Sequence, residues 1–152
     1  MNNMTQPRLY LAALLTLILS ACSGSEQIKM ADGSQTQLSH WDDRWLVINY
    51  WAEWCGPCRH EIPELNKVHQ QRVSSGIVML GVNYDGIQPP KLNDVISRME
   101  IEFPVLLSDP QVRFGYDRAE QLPMTIVLSP EREVHEVLLG PQTAQTIMAA
   151  LP

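Results

Sequence analysis

Residues 45–51 read WLVINYW, a continuous apolar run broken only by Asn49. A seven-residue run this rich in aromatic and β-branched residues forms a strand buried on both faces, so the chain must place a covering layer on each side of it. Four residues later come Cys55, Gly56, Pro57 and Cys58. Gly-Pro makes a tight turn, and proline is tolerated in the first turn of a helix, where its missing N–H has no partner to lose. Ile62, Leu65, Val68 and Val73 then supply an imperfectly spaced apolar stripe, so the segment reads as a helix, with Pro63 predicted to kink it. A buried strand running into a cysteine pair that opens a helix is the feature the rest of the chain has to accommodate.

The other elements fall into place around that unit. IKMADGSQTQLS predicts a hairpin about Asp32-Gly33. GIVMLGVNY, 76–84, is a second buried strand, and Pro89 and Pro90 introduce a helix with Leu92, Val95, Ile96 and Met99 on one face. FPVLL is a short extended piece, and a brief helix near 110–116 precedes MTIVLS, a third strand. EVHEVLLG returns from it as a hairpin across Ser129–Arg132, and a last helix spans about 142–150. Crossover units beside a terminal hairpin predict an α/β fold, with a mixed central sheet, helices on both faces and an N-terminal β-hairpin extension. A net charge of −6, without a run of one sign, argues against nucleic acid as a partner.

The first residues are of another kind. Arg8 precedes LYLAALLTLIL, 9–19, which is too short to span a bilayer but has the character of a signal peptide. Leu19, Ser20, Ala21 and Cys22 resemble the lipobox of bacterial lipoproteins. That resemblance implies cleavage before Cys22 and acylation of it, with residues 1–21 as signal, 22–27 as lipidated cysteine and tether, and 28–152 as the folded domain. It implies a lipid-anchored protein facing the periplasm. Ser23 in place of aspartate resembles lipoproteins sent to the outer membrane rather than kept at the inner one.

Cys55 and Cys58 allow several chemistries. A structural zinc site wants four ligands, and His40, His60, His69 and His135 offer no second pair at ligand spacing, so no metal is expected. Attached haem needs histidine directly after the second cysteine, where Arg59 stands. An inert disulfide stays open. A redox pair is favoured, because a helix N-terminus stabilises thiolate at Cys55 and places Cys58 one turn on as the resolving thiol. The expected redox group is thus the Cys55–Cys58 disulfide itself, with no other cofactor.

YWAEWCGPC, the helix proline Pro63 and LPMT at 122–125 together resemble the thioredoxin superfamily. The resemblance covers residues 28–152. It implies that Trp54, Gly56 and Pro57 shape the active-site motif. It also implies a cis peptide at Pro123, with Leu122, Pro123, Met124 and Thr125 forming a loop that lies against the cysteines and pairs with bound substrate. The N-terminal hairpin, the PPKLNDVISRM insert and Asn49, where cytoplasmic thioredoxins have aspartate, are similar to the extracytoplasmic TlpA/ResA-like branch. The Gly-Pro between the cysteines departs from the Glu-Pro of ResA. Spacing alone reads Glu61 as a solvated helix-surface residue and Asn49 as a polar group meeting a backbone need inside the strand. The resemblance implies instead that Glu61 is a desolvated proton carrier beside the thiols. Trp51 is expected in the core and Trp54 at the site's rim, with Glu53, Arg59 and His60 facing solvent.

Gly-Pro places no charge between the cysteines, and CGPC is the motif of the reducing thioredoxins, near −270 mV. The expected function is therefore a disulfide reductase acting on disulfide-containing periplasmic proteins, re-reduced by a membrane donor of the DsbD or CcdA type. Apocytochrome c is a plausible target that the residues themselves do not show. Oxidase or isomerase activity is the main rival. A peroxidase would need a peroxidatic cysteine in its own threonine-containing motif, which is absent. A metal-handling role or a non-catalytic binding module fits the cysteine pair less well.

Overall fold

The computed structural model describes residues 27–71 and 76–152. The leader, the lipobox with Cys22, and Val73 of the expected helix stripe lie outside the described residues. The elements in chain order are β1 Gln27–Lys29, β2 Gln35–Gln37, a 3-10 turn Leu38–Trp41, β3 Trp45–Trp51, α1 Gly56–Gln70 and β4 Ile77–Asn83. They continue with α2 Lys91–Arg98, β5 Val105–Leu106, α3 Gln111–Phe114, β6 Met124–Leu128, β7 Val134–Leu139 and α4 Ala144–Ala149. The five-stranded sheet has the order β5-β4-β3-β6-β7. Pairs β3/β4 and β4/β5 are parallel, whereas β3/β6 and β6/β7 are antiparallel, which makes the sheet mixed.

Strand β3, the WLVINYW run, is the sheet's centre, and its alternation divides the core. Val47 and Trp51 pack with Ile62, Leu65 and Val68 of α1, Leu92 and Val95 of α2, and Ile147 of α4. Leu46, Ile48 and Tyr50 point the other way, toward Trp41, Met30, Ala119 and the half-buried Phe114 and Tyr116. Helices lie on both faces, but unequally: α1, α2 and α4 share one face. The other is covered by α3, the 3-10 turn and irregular chain. Gly81 stands opposite Asn49 in the β3/β4 register. A Cβ there would meet Phe103 Cε2 at 2.9 Å and Trp51 Nε1 at 3.0 Å, so only glycine lets the α1-side layer close on β4.

The N-terminal hairpin forms about Gly33, whose φ of +85° suits glycine, while Asp32 accepts from the Ser34 N–H and hydroxyl. It is a separate two-stranded sheet that docks on the short edge strand. Ala31 N–H donates to Val105 O at 2.8 Å and Leu107 N–H to Lys29 O at 3.0 Å. The hairpin thereby satisfies edge groups that β5 would otherwise expose. Helix α1 runs on through Pro63 without ending. Helix α3 is shorter than the expected 110–116, because Gly115 closes it in the left-handed conformation. Helix α4 begins at a capping box between Thr143 and Thr146.

Candidate active site

Cys55 sits between β3 and α1, with extended backbone dihedrals, and is the N-cap of α1. Its sulfur accepts the N–H of Cys58 at 3.2 Å. An N-cap acceptor meets one of the donors that a helix start leaves unpaired, and the helix dipole adds positive potential there. Both effects stabilise a sulfur that carries negative charge. Cys55 and Cys58 are joined as a disulfide, with Cα atoms 5.3 Å apart. Both are buried, Cys58 fully. Gly56 and Pro57, the residues between them, are exposed.

Around this pair the expected rim assembles. Trp54 is 66% exposed, its indole N–H held by Asp85 Oδ2 at 3.0 Å, whereas Trp51 is fully buried. Arg59 and His60 face solvent, and Glu53 is half-buried, paired with Arg98. The Leu122–Pro123 peptide is cis. Leu122 packs against the same apolar cluster that holds Cys55 and Cys58, while Pro123, Met124 and Thr125 are buried.

Glu61 and Asn49 are where the readings from spacing alone fail. Glu61, one turn beyond Cys58, is 1% exposed. Its Oε1 accepts from Asn49 Nδ2 at 2.7 Å and its Oε2 from the Gln142 backbone N–H at 2.9 Å. Asn49 meets no backbone need; its Nδ2 also donates to Thr125 Oγ1 at 3.0 Å. Burial pushes the Glu61 carboxyl up to about 7, against the opposing pull of the Gln142 and Asn49 donors. A carboxyl poised near neutral pH, one helical turn from a thiol, has the proton affinity that general acid–base work requires.

Two partners escaped the sequence. Thr125 was singled out only as part of the proline loop, yet it anchors Asn49 from across the β3/β6 pair, where Asn49 stands opposite it. Gln142 reaches Glu61 through its backbone, 81 residues away, and no side-chain pattern could have announced it. The register of β6 against β3 was the one available clue to Thr125, and it depends on the sheet order.

Comparison with known proteins places this geometry. The AhpC/TSA family profile matches residues 25–137. Thiol-disulfide oxidoreductase ResA of Bacillus subtilis is 30% identical over 117 residues, 76% of this chain and 64% of the relative. ResA of Geobacillus kaustophilus is 28% identical over 118 residues, 76% of this chain and 66% of the relative. The chain thus spans a little under two thirds of the length of each. Among solved structures, StoA from Bacillus subtilis superposes with a TM-score of 0.68 at 19% identity, over 84% of this chain and 96% of that one. A DsbF homologue from Corynebacterium diphtheriae gives 0.67 at 25% identity, over 83% and 82%. The profile match covers most of the chain, and the cysteine pair, cis-proline and sheet order agree with it: the chain belongs to the AhpC/TSA family, in its thioredoxin-fold, TlpA/ResA-like branch.

Proposed function

We propose that this protein is a thiol-disulfide oxidoreductase working as a reductase outside the cytoplasm, held at the membrane by acylated Cys22. The observation that carries the reading is the N-cap position of Cys55, with a buried Cys58 behind it and no charged residue between them. Reduced Cys55, as thiolate, attacks a substrate disulfide and forms a mixed disulfide, releasing one substrate thiolate. Cys58 gives up its proton and attacks Cys55, releasing the second substrate sulfur as thiolate and closing the Cys55–Cys58 bond. Glu61 takes the proton that Cys58 loses. The substrate gains two electrons and the enzyme pair loses two, so a dithiol donor at the membrane, of the DsbD or CcdA type, must restore them. The ResA relatives and the lipobox favour disulfide-containing periplasmic proteins as substrates, apocytochrome c among them. Ser23 favours the outer membrane as destination. Among the described residues no helix is long and apolar enough to cross a membrane.

The helix N-terminus lowers the thiolate's energy, but Gly-Pro adds nothing to it, so the couple stays reducing. Redox titration of fragment 23–152 against glutathione is expected to give about −230 mV or lower. A value above roughly −180 mV, the level of protein disulfide isomerase, replaces the reductase with an oxidase or isomerase.

A further inference from the structure

The Glu61 site contains a mismatch that its two protonation states resolve differently. One carboxylate oxygen, Oε2, faces the Gln142 backbone N–H, which can only donate. When Glu61 is protonated, the proton therefore belongs on Oε1, leaving Oε2 free to accept. Oε1 faces Asn49 Nδ2, also a donor, at 2.7 Å. A protonated Oε1 against an NH2 group sets donor against donor in a site where neither has water to turn to. The remedy is already in place. Asn49 Oδ1 is buried and has no hydrogen-bond partner. Thr125, the amide's other neighbour at 3.0 Å, carries a hydroxyl that accepts or donates equally well.

We propose that Asn49 and Thr125 form a reversible donor–acceptor pair that turns over as Glu61 gains and loses its proton. With Glu61 ionised, Nδ2 donates to Glu61 Oε1 and to Thr125 Oγ1, the arrangement present in the structure. With Glu61 protonated, the amide rotates by half a turn. Oδ1 then accepts from Glu61 Oε1–H and from the Thr125 hydroxyl. In the arrangement present the amide oxygen is the group without a partner, after the turn it is the NH2, and the turn itself breaks no covalent bond. An asparagine is what this requires: aspartate would only accept, and an apolar residue would do neither. Asn49 and Thr125 are positioning residues, acting on the reaction through Glu61. Among the described residues no charged side chain bonds to the carboxyl. From β3 Asn49 donates to it, with Thr125 of β6 behind Asn49, and α4 carries no charged side chain. On α1 the other titratable and charged groups are Cys58, Arg59, His60, Glu64, Lys67 and His69, with Cys55 at the N-cap; Arg59 and His60 face solvent, and Glu64 is held by Lys67 and the Ala144 N–H. On β7, His135 packs on Trp45, at the opposite end of β3.

This inference rests on Glu61 being the proton carrier, and the test separates the two. In the oxidised full chain, the Glu61 side-chain carboxyl carbon and the Asn49 side-chain NH2 are followed by NMR from pH 5 to 9. The expected result is one shared midpoint, with the Asn49 amide signals moving as Glu61 titrates and their cross-relaxation to the Thr125 methyl changing with them. Glu61→Gln supplies the fixed comparison. Its amide carbonyl can accept from Gln142 while its NH2 donates toward Asn49, so it imitates the protonated acid. Asn49 in that variant should hold its low-pH signals at every pH. Asn49 signals that stay constant while Glu61 titrates, or that match the high-pH signals in Glu61→Gln, overturn the pair and leave the proton carrier standing. A Glu61 that does not titrate in this range overturns both.

Discussion

Asn49 and Tyr50 are neighbours on β3, and each starts a buried polar cluster on its own face of the sheet. Asn49 reaches Glu61 and Thr125 on the α1 side. Tyr50 reaches Asp109 Oδ1 at 2.5 Å and the Tyr116 hydroxyl at 2.9 Å on the other. Both clusters pair a carboxyl with a donor from the central strand. They differ in which partner is buried. Glu61 lies under α4 and its preceding loop, almost without solvent, and its proton affinity rises into the neutral range. Asp109 sits at the surface, where it also accepts the Gln111 N–H in the turn before α3. There it is the phenols of Tyr50 and Tyr116 that are desolvated, and they are pushed above their ordinary range. A phenol that holds its proton at every working pH is a tie between β3 and the loop after β5. A carboxyl whose proton affinity lies near neutral pH is able to take up or release a proton there. Burying the acid rather than its donor makes the difference.

The largest effects that test this contrast lie at the cysteines, beside the Glu61 cluster. Cys55→Ser should abolish disulfide reduction and trap almost no substrate. Cys58→Ser should trap mixed disulfides, seen as new bands on non-reducing gels, because the attack remains and the resolution is lost. Equal trapping by both variants would show that the two sulfurs are not divided as their burial and N-cap positions suggest.

Next in size is the rate effect of Glu61→Gln. Removing a general acid–base costs on the order of a hundredfold or more. Insulin reduction by this variant should slow by about that factor, and its pH profile should lose the step near 7. Tyr50→Phe, made in the opposite cluster, should leave both rate and profile unchanged. A Tyr50→Phe variant slowed as much as Glu61→Gln would end the distinction between the two faces.

A smaller effect is on stability. The Glu61 carboxyl is raised from 4.5 to about 7 in the folded protein. Below pH 4.5 it is protonated in both states and costs nothing. Between 4.5 and 7 the unfolded chain releases the proton that the folded protein keeps, so stability falls as pH rises through that window. The loss approaches about 3 kcal/mol above pH 7. Urea unfolding of the oxidised protein at pH 4.5 and at pH 8 measures it, and Glu61→Gln should remove most of the difference.

The smallest effects belong to the tie and the rim. Tyr50→Phe should cost about 1 to 2 kcal/mol, two hydrogen bonds, one to the Tyr116 hydroxyl and one to an acid that water can still solvate. Trp54→Ala, at a side chain 66% exposed, should change stability by no more than about 0.5 kcal/mol while weakening substrate binding. A larger stability loss at Trp54 would mean that its bond to Asp85 holds the turn before α1 and does more than shape the rim.

Much of this molecule follows from local pattern. WLVINYW is a buried strand because nothing in it can tolerate water except Asn49. The Gly-Pro turn and Pro57 start α1 at Cys55, and Asp32-Gly33 turns the hairpin. Short-range sterics and periodicity are written into adjacent residues, so the redox pair and its place at a helix N-terminus were legible in the order of the residues. The resemblance supplied the cis-proline and the suspicion about Glu61. What spacing alone read wrongly was burial. A glutamate three residues after Cys58 looks like helix surface until α4 and the 140–143 loop close over it, and those arrive 80 residues later. Asn49 looked like a local repair until the sheet order set Thr125 beside it and α1 laid Glu61 across it. Whether a carboxyl is solvated depends on what packs over it, and that is decided by long-range contacts and not by its neighbours in sequence. The cysteines were therefore determined by the sequence, and the proton chemistry beside them by the tertiary structure.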